Sequence, residues 1–358
     1  MTEFEKGLII LDGLFDVDYK FKRELIDGLD EVNSLSEFAS LSLNFLKTKI
    51  QNLDEKVYKS HFTEKEYNSL ISEYTKKGVK VITEFSSVYP SELKNLPFRP
   101  ICLYLLGNDS LLSAKDKFSI VGSRKTMPSI LKVAEEYANK LSKSGVVIVT
   151  GVAGGGDLSA IKGAIDSGNL ICVSASGFDY LDKEYTRDYV NKIVKNCLII
   201  SEYPPYVQAM PYFYPIRNRI IAGLSKGTLV ISGSYKSGTR YTYNYALEYG
   251  KDVFAFPYSL GVSSGEMCNE IIKQGGFMVT ELEDITSVLG FSVAEKEEIQ
   301  LSDNEYIVLS SIKNGNYSVD DVLNDTKLKI FELMPTLTSL EIKNLIVKSG
   351  SDYMPVKN

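Results

Sequence analysis

The pattern of apolar and polar positions changes character at Phe118. From there to about residue 290, short continuous apolar runs are each followed by a turn or loop and a stretch of helical periodicity, as in FSIVG, VVIVT, LICVSAS, CLIISE, TLVIS and DVFAFP. Apolar strands that alternate with helices are typical of a parallel sheet covered on both faces. We therefore predict an α/β fold for residues 118–290, with a Rossmann-like, doubly wound and mostly parallel sheet.

The flanking segments follow other patterns. Residues 1–60 repeat apolar positions at helical spacing, which predicts a helical, SAM-like N-terminal domain. Residues 61–117, with a helix at Glu64–Lys77 and the strand VKVITEF, read as an extension leading into the sheet domain. Residues 291–303 are polar and predict a linker, and the three short helices and final strand of residues 304–358 predict a winged-helix module. Acidic residues outnumber basic ones in that module, which favours packing or partner binding over DNA reading.

The composition limits the kinds of catalytic, metal and nucleic-acid site that the protein can have. The four cysteines lie far apart without a CxxC pair, which predicts small buried side chains and no metal site. Ser-His-Asp or Cys-His catalysis would have to use the single histidine, His61. We expect no catalytic residues and no cofactor. No apolar run is long enough for a membrane span and no signal peptide is recognisable, so the cytoplasm is the expected compartment. The net charge of −6 means that any nucleic-acid binding must use a local basic patch.

Four strand-to-helix turns carry the candidate chemistry. Ligands of such sheets bind at the carboxyl ends of the strands, near the point where the strand order reverses. Helix N-termini favour anions there, and the guanidinium of Arg124 in IVGSRK suits a phosphate. The loop TGVAGGGD could form an anion-binding nest, with Asp157 capping the next helix, although it does not match GxGxxG or GxxxxGK[ST]. Each turn alone also fits an ordinary surface connection.

The third turn, YPIRNRIIAGLS, places two arginines around Asn218. Arginines two positions apart do not share a helix face, so one can contact a ligand while the other pairs with an internal carboxylate. Glu202 is the candidate partner. The fourth turn, GSYKSGTRYT, offers another helix N-terminus. The 23 tyrosines could stack on bases of a single strand, or pack in the core.

Together these stretches resemble the DNA processing protein A family (DprA, also called Smf). The resemblance rests on YPSELKNLPFRPICLYLLGN, IVGSR, VTGVAGGGD, SEYPP, YPIRNRIIAGLS, KSGTRYT and VFAFP, in one order from about Tyr89 to Leu289. It implies a protein that is not an enzyme, that binds single-stranded DNA without strong sequence preference, and that protects incoming strands. It also implies loading of RecA recombinase during natural transformation, and a homodimer joined near residues 269–278.

Carried over by position, the resemblance implies two sets of residues. The DNA-binding set is Gly122, Ser123, Arg124, Lys162, Lys183, Arg217, Asn218, Arg219, Lys236, Ser237 and Gly238, and the dimer set is Ile271, Ile272 and Phe277. Three departures are visible: Gly154 stands where the family usually has Arg, Ile161 where it has His, and Tyr258 where it has Gly. We expect these departures to remove cationic and hydrogen-bonding groups from the DNA site.

Two other functions remain open. The phosphoribohydrolases of nucleoside monophosphates have a similar sheet edge with the motif Pro-Gly-Gly-x-Gly-Thr-x-x-Glu, but Thr242 occupies the position of the catalytic glutamate. A threonine cannot supply that carboxylate, which disfavours hydrolysis. A nucleotide-sensing module that binds a small phosphorylated ligand is the second alternative.

Overall fold

A computed structural model describes residues 1–13, 19–28, 32–48, 54–181, 187–292, 301–343 and 345–356. The chain divides into two compact units, Met1–Val293 and Ala294–Asn358. The predicted linker, 291–303, lies mostly outside the described residues.

The described part of the first unit contains a nine-stranded sheet with the order β1-β2-β6-β5-β4-β3-β7-β8-β9. All pairs from β6 to β9 are parallel, and β1 and β2 are added antiparallel at one edge. The mostly parallel α/β sheet predicted from the apolar runs is therefore confirmed. The strands are β1 Val79–Thr83, β2 Cys102–Gly107, β3 Lys117–Gly122, β4 Val147–Gly151, β5 Leu170–Val173, β6 Leu198–Ser201, β7 Gly227–Ser232, β8 Asp252–Ala255 and β9 Phe277–Met278.

The chain order creates a switch point beside β3. From β3 the chain proceeds outward to β4, β5 and β6, then returns across the sheet to β7 on the other side of β3. In the register of this central pair, Ile120 lies opposite Leu229. The turns that follow β3 and β7 therefore diverge, which opens a crevice at the carboxyl ends of these strands.

Alternating strand residues fill two apolar clusters, one on each face of the sheet. Phe118, Ile120 and Ile148 belong to one cluster, whereas Val121 and Val149 belong to the other. Burial on both faces explains why the strands read as continuous apolar runs. The helices of this unit are α1 Glu3–Gly13, α2 Tyr19–Asp27, α3 Leu35–Lys47, α4 Glu55–His61, α5 Glu64–Lys76, α6 Ser91–Lys94, α7 Pro128–Lys143, α8 Gly156–Ala164, α9 Arg187–Asn196, α10 Phe213–Leu224, α11 Thr239–Glu248, α12 Glu266–Lys273 and α13 Glu283–Leu289.

The N-terminal helices share an apolar cluster with the antiparallel edge of the sheet. Tyr74 of α5 packs edge-on against Tyr104 of β2, with ring centroids 5.6 Å apart. The segment CLYLLG, which the sequence pattern left unassigned, thus forms β2 and links the helices to the sheet.

The second unit has its own small apolar cluster. Ser302 caps its first helix in a capping box with Glu305, a local signal for a helix start. Its elements are α14 Asp303–Lys313, α15 Val319–Thr326, α16 Ile330–Ile342, and the antiparallel strands β10 Ile346–Ser349 and β11 Asp352–Pro355. None of the helices in the described ranges is long and apolar enough to cross a membrane.

Candidate functional site

A cleft of 390 Å³ lies at the carboxyl ends of β3 and β7, at the switch point. Turns that are distant in the chain meet there, and seven of the predicted DNA-binding residues are among those that line it. The lining residues are Val121, Gly122, Ser123, Arg124, Lys125, Ala153, Asp157, Tyr214, Arg217, Asn218, Ile221, Ser234, Ser237, Gly238, Thr239 and Thr242.

The turn after β3 is fixed to the end of β7. The backbone N–H of Ser123 donates to the Ser232 hydroxyl at 2.9 Å, and the Thr126 hydroxyl donates to the Ser123 carbonyl at 2.7 Å. The side chains of Arg124 and Lys125 are exposed at the rim of the cleft. A rigid turn therefore presents two adjacent positive charges. Sequence reasoning omitted Lys125, although it directly follows Arg124.

The glycine-rich loop after β4 packs against this turn. Gly155 has φ 72°, and a Cβ there would lie 2.6 Å from the Arg124 Cα. A Cβ on Gly156 would lie 2.6 Å from the Gly122 nitrogen, and the Gly156 N–H already donates to the Ser123 carbonyl at 3.2 Å. The glycines are thus required for close backbone packing, and this N–H is used inside the protein rather than in an anion nest.

Asp157 does not cap α8, so that prediction was wrong. Its carboxylate accepts a hydrogen bond from the Gly122 N–H and faces the Arg217 guanidinium. Both groups lie against Gly151, where a Cβ would come within 2.8 Å of Arg217 Nη2. Burial raises the pKa of Asp157 to about 6, while Arg217 and Arg124 oppose that rise. A buried carboxylate and a buried guanidinium therefore form the floor of the cleft.

The two arginines of α10 face different groups of the protein, as their spacing predicted. Arg219 is 3% exposed and forms a bidentate salt bridge with Glu202 at 2.7 and 2.5 Å, which confirms the predicted partner. Arg219 also donates to the Phe98 carbonyl at 2.7 Å and does not line the cleft. Arg217 lines the cleft but is also only 3% exposed, and it donates to the Val173 carbonyl. The structure thus places the Arg219 guanidinium inside the protein, away from a ligand in the cleft.

The turn before α11 closes the opposite wall. Asn218 Nδ2 donates to the Gly238 carbonyl at 3.3 Å, which joins α10 to this turn. Ser237 and Gly238 line the cleft, whereas Lys236 is exposed beside them and does not line it. Tyr235 is 55% exposed next to this wall. Sequence reasoning did not include Thr239, which also lines the cleft; its only signal is its position at the start of α11.

One predicted DNA-binding lysine, Lys162, does not join this group. Lys162 is exposed in the last turn of α8, whereas the cleft lies at the first turn of that helix. Lys183 lies outside the described residues. The family departure at Ile161 has no effect on the surface, because this side chain is fully buried in the core. Tyr258 is half-buried and donates to the Ile231 carbonyl at 2.6 Å. The effect of these departures on DNA binding stays a prediction.

The predicted dimer residues differ in exposure. Ile271 is 1% exposed and belongs to the core, and Ile272 is half-buried. Phe277 is 41% exposed and its ring stacks on that of Phe254 with centroids 5.1 Å apart. Phe277 and Met278 form β9, the last strand of the sheet.

Comparison with known proteins agrees with this architecture. The model of the family described as DNA recombination-mediator protein A matches residues 80–290. DNA processing protein DprA of Bacillus subtilis is 33% identical over 217 residues, which covers 60% of this chain and 73% of that protein. Protein Smf of Escherichia coli is 29% identical over 285 residues, 76% of each chain.

Solved structures show the same relationship. The X-ray structure of DprA from Streptococcus pneumoniae has a TM-score of 0.64 at 25% identity, and covers 78% of this chain and 97% of that one. A structure of DprA from Helicobacter pylori, described for its single-stranded DNA binding mode, has a TM-score of 0.54 at 26% identity. It covers 59% of this chain and 95% of that one. The matched family model spans the sheet and every turn of the cleft. This chain is therefore a member of the DNA recombination-mediator protein A family, to which the DprA and Smf proteins belong.

Proposed function

We propose that this protein binds single-stranded DNA across the cleft without strong sequence preference. The observation that carries the proposal is the convergence of the turns after β3 and β7 with the start of α10 on one rim that bears Arg124 and Lys125. The Helicobacter pylori relative, described for binding single-stranded DNA, supports the same ligand here.

The chemistry of the rim suits the phosphate backbone. Arg124 can form a bidentate contact with a phosphate, and Lys125 adds a second charge beside it. Such contacts neutralise and position a strand but do not read its bases. The exposed ring of Tyr235 offers a surface on which a base can stack. A locally basic rim is needed because the whole chain carries a net charge of −6.

We propose binding rather than catalysis at this site. Thr242 lines the cleft and is 1% exposed, at the position where the similar phosphoribohydrolases carry their catalytic glutamate. The single histidine of the chain, His61, is in α4 and does not line the cleft. Release of a free base from nucleoside monophosphates by the purified protein would contradict this assignment.

Replacing Arg124 with alanine tests the DNA proposal. We expect R124A to bind unrelated single strands more weakly by about the same factor, because the lost contact is to phosphate. The slope of log K against log salt should flatten by roughly 0.7, the contribution of one phosphate on a single strand. Lys143→Ala is the matched control, since it removes one exposed charge at the far end of α7. An unchanged slope in R124A, or a loss confined to some sequences, would reject the proposed contact.

The length of the ligand separates this function from a nucleotide sensor. The cleft volume is also sufficient for a single nucleotide. Fluorescence anisotropy with oligonucleotides of increasing length should show affinity that rises with length. Saturation by a mononucleotide, with no gain from longer strands, would favour the sensor instead.

We further propose that the protein protects incoming strands and loads RecA recombinase during natural transformation, as the family resemblance implies. RecA filament formation on strands covered by a single-strand-binding protein should accelerate when wild type is added, and R124A should accelerate it less. Equal acceleration by the two proteins would separate RecA loading from the cleft.

We also propose a homodimer through the edge formed by β9. Phe277 and Met278 are 41% and 51% exposed there. Met278→Glu should shift sedimentation velocity profiles toward monomer, because a charge would be buried in the joint sheet edge. Leu260→Glu, at a side chain that is 96% exposed, is the control. Dimers that persist in Met278→Glu would exclude this edge.

The order of helices and strands in residues 304–358 supports the proposal of a winged-helix module. Three helices precede the β10–β11 hairpin, and Ser318 forms an isolated bridge with Asp352 of β11. This is the order of elements that such modules have.

A further inference from the structure

The outer face of α16 is apolar. Ile330, Phe331, Met334 and Ile342 are 51%, 67%, 41% and 76% exposed. Positions 330, 334, 338 and 342 are four apart and lie along one side of the helix. These residues, together with the exposed Thr338, are called the α16 face below. Exposed apolar side chains grouped on one face usually mark an interaction site.

This face is poorly suited to DNA. The corresponding helix of a DNA-reading module would carry cations for phosphates and base edges. None of the residues of the α16 face is a cation. Lys329 Nζ lies over one end of the face, 5.7 Å from the centroid of the Phe331 ring, and Lys343 is held by Glu305 through a salt bridge at 2.7 Å. The occupant of this face is therefore more apolar than a nucleic acid.

The charges at the two ends of α16 favour a second copy of the same helix. Lys327 and Lys329 lie at its N-terminus, where the positive end of the helix dipole disfavours cations. Glu341 lies in its last turn, where the negative end disfavours a carboxylate. An antiparallel copy would bring each lysine pair near the partner's Glu341, and so place opposite charges together at both ends.

The apolar positions are also self-complementary in that arrangement. A two-fold axis near the middle of the helix pairs Ile330 with the partner's Ile342, and Met334 with the partner's Thr338. The two isoleucines then meet at each end of the contact, and in its centre the small Thr338 side chain meets the flexible Met334 side chain. A two-fold interface of this kind uses the same patch on both copies.

We propose that two copies of this protein associate through antiparallel packing of their α16 faces. This contact is separate from the β9 edge and does not depend on DNA binding by the cleft.

Disulfide trapping on the full-length chain tests the contact. The native cysteines in the described residues are all four buried, so they compete little with an introduced surface thiol. Ile330→Cys and Ile342→Cys are prepared separately, one with a size tag, mixed, and oxidised under mild conditions. On non-reducing gels we expect the mixed disulfide at least about five-fold faster than either self-linked product, because only unlike positions adjoin in the antiparallel pair.

Two further variants keep the test interpretable. Asn314→Cys, exposed at the end of α14, reports random collision. Adding Phe331→Glu to both cysteine variants should reduce the mixed disulfide to that background, because it places charge in the contact, and circular dichroism checks that the fold is kept. Mixed-disulfide formation no faster than the Asn314→Cys background would overturn the proposal. Faster self-linking, which indicates parallel packing, or trapping that requires added RecA would also overturn it.

Discussion

The packing of the Gly155–Gly156 loop on the turn after β3 makes Gly156→Ala a direct test of how the cleft is built. A new Cβ would lie 2.6 Å from the Gly122 nitrogen, where ordinary contacts are longer than 3.4 Å. The backbone must therefore separate by most of an ångström, since the opposing atoms are backbone atoms and cannot rotate away. Overpacking of this size typically costs about 1–3 kcal/mol. It should also displace Arg124, which belongs to the same turn.

Thermal unfolding and single-strand binding measure the two consequences. We expect the Tm to fall by roughly 2–12 °C, from about 2–4 °C for each kcal/mol in a domain of this order of size. Affinity for single strands should fall while the salt slope stays near that of wild type, because no charge is lost. Gly238→Ala is the matched control for the Tm alone, since Gly238 itself lines the cleft: its Cβ meets nothing within 4 Å and its φ of −59° suits alanine. Wild-type Tm and affinity in Gly156→Ala would refute the packing argument.

Two further predictions concern buried charge. Glu202→Gln should destabilise the protein by about 3–5 kcal/mol in urea unfolding, since it leaves the buried Arg219 without a compensating carboxylate; a loss below about 1 kcal/mol would contradict this. Burial raises the pKa of Asp12 from 3.8 to about 6, with Lys22 and Tyr104 opposing the rise and Glu202 adding to it. The folded state therefore binds this proton more tightly than the unfolded state, so the contribution is present below about pH 4 and is lost as the pH rises through 6. Relative to wild type, Asp12→Asn should gain about 2 kcal/mol of unfolding free energy between pH 4 and pH 7, and a pH-independent difference would reject the assignment.

The sheet was predictable because its signal is local. A strand buried on both faces must be apolar throughout. Runs such as VVIVT and TLVIS can therefore be recognised as strands without knowing which strands they pair with. The spacing of Arg217 and Arg219 predicted that they face different ways and that one of them could pair with Glu202. It did not predict that Arg219 is the one that forms this salt bridge. By contrast, β2 was missed because Pro97 and Pro100 stand just before its apolar run. It also pairs antiparallel with β6, far along the chain.

The assignment of roles within the cleft depended on distances that the sequence does not contain. Asp157 stands at a helix start, where local rules predict a cap, but the tertiary structure brings Arg217 beside it and gives it a different partner. Lys162 and Arg124 are both in the predicted DNA-binding set, yet only Arg124 reaches the cleft, because Lys162 lies in the last turn of α8 and the cleft lies at the first turn. The sequence by itself determined the parallel strands of the sheet and their turns, because those follow from local burial and spacing, and its motifs indicated the family by resemblance. Only the tertiary structure decided which charged groups face the ligand and which neutralise one another, because that depends on how far apart separate turns come to lie.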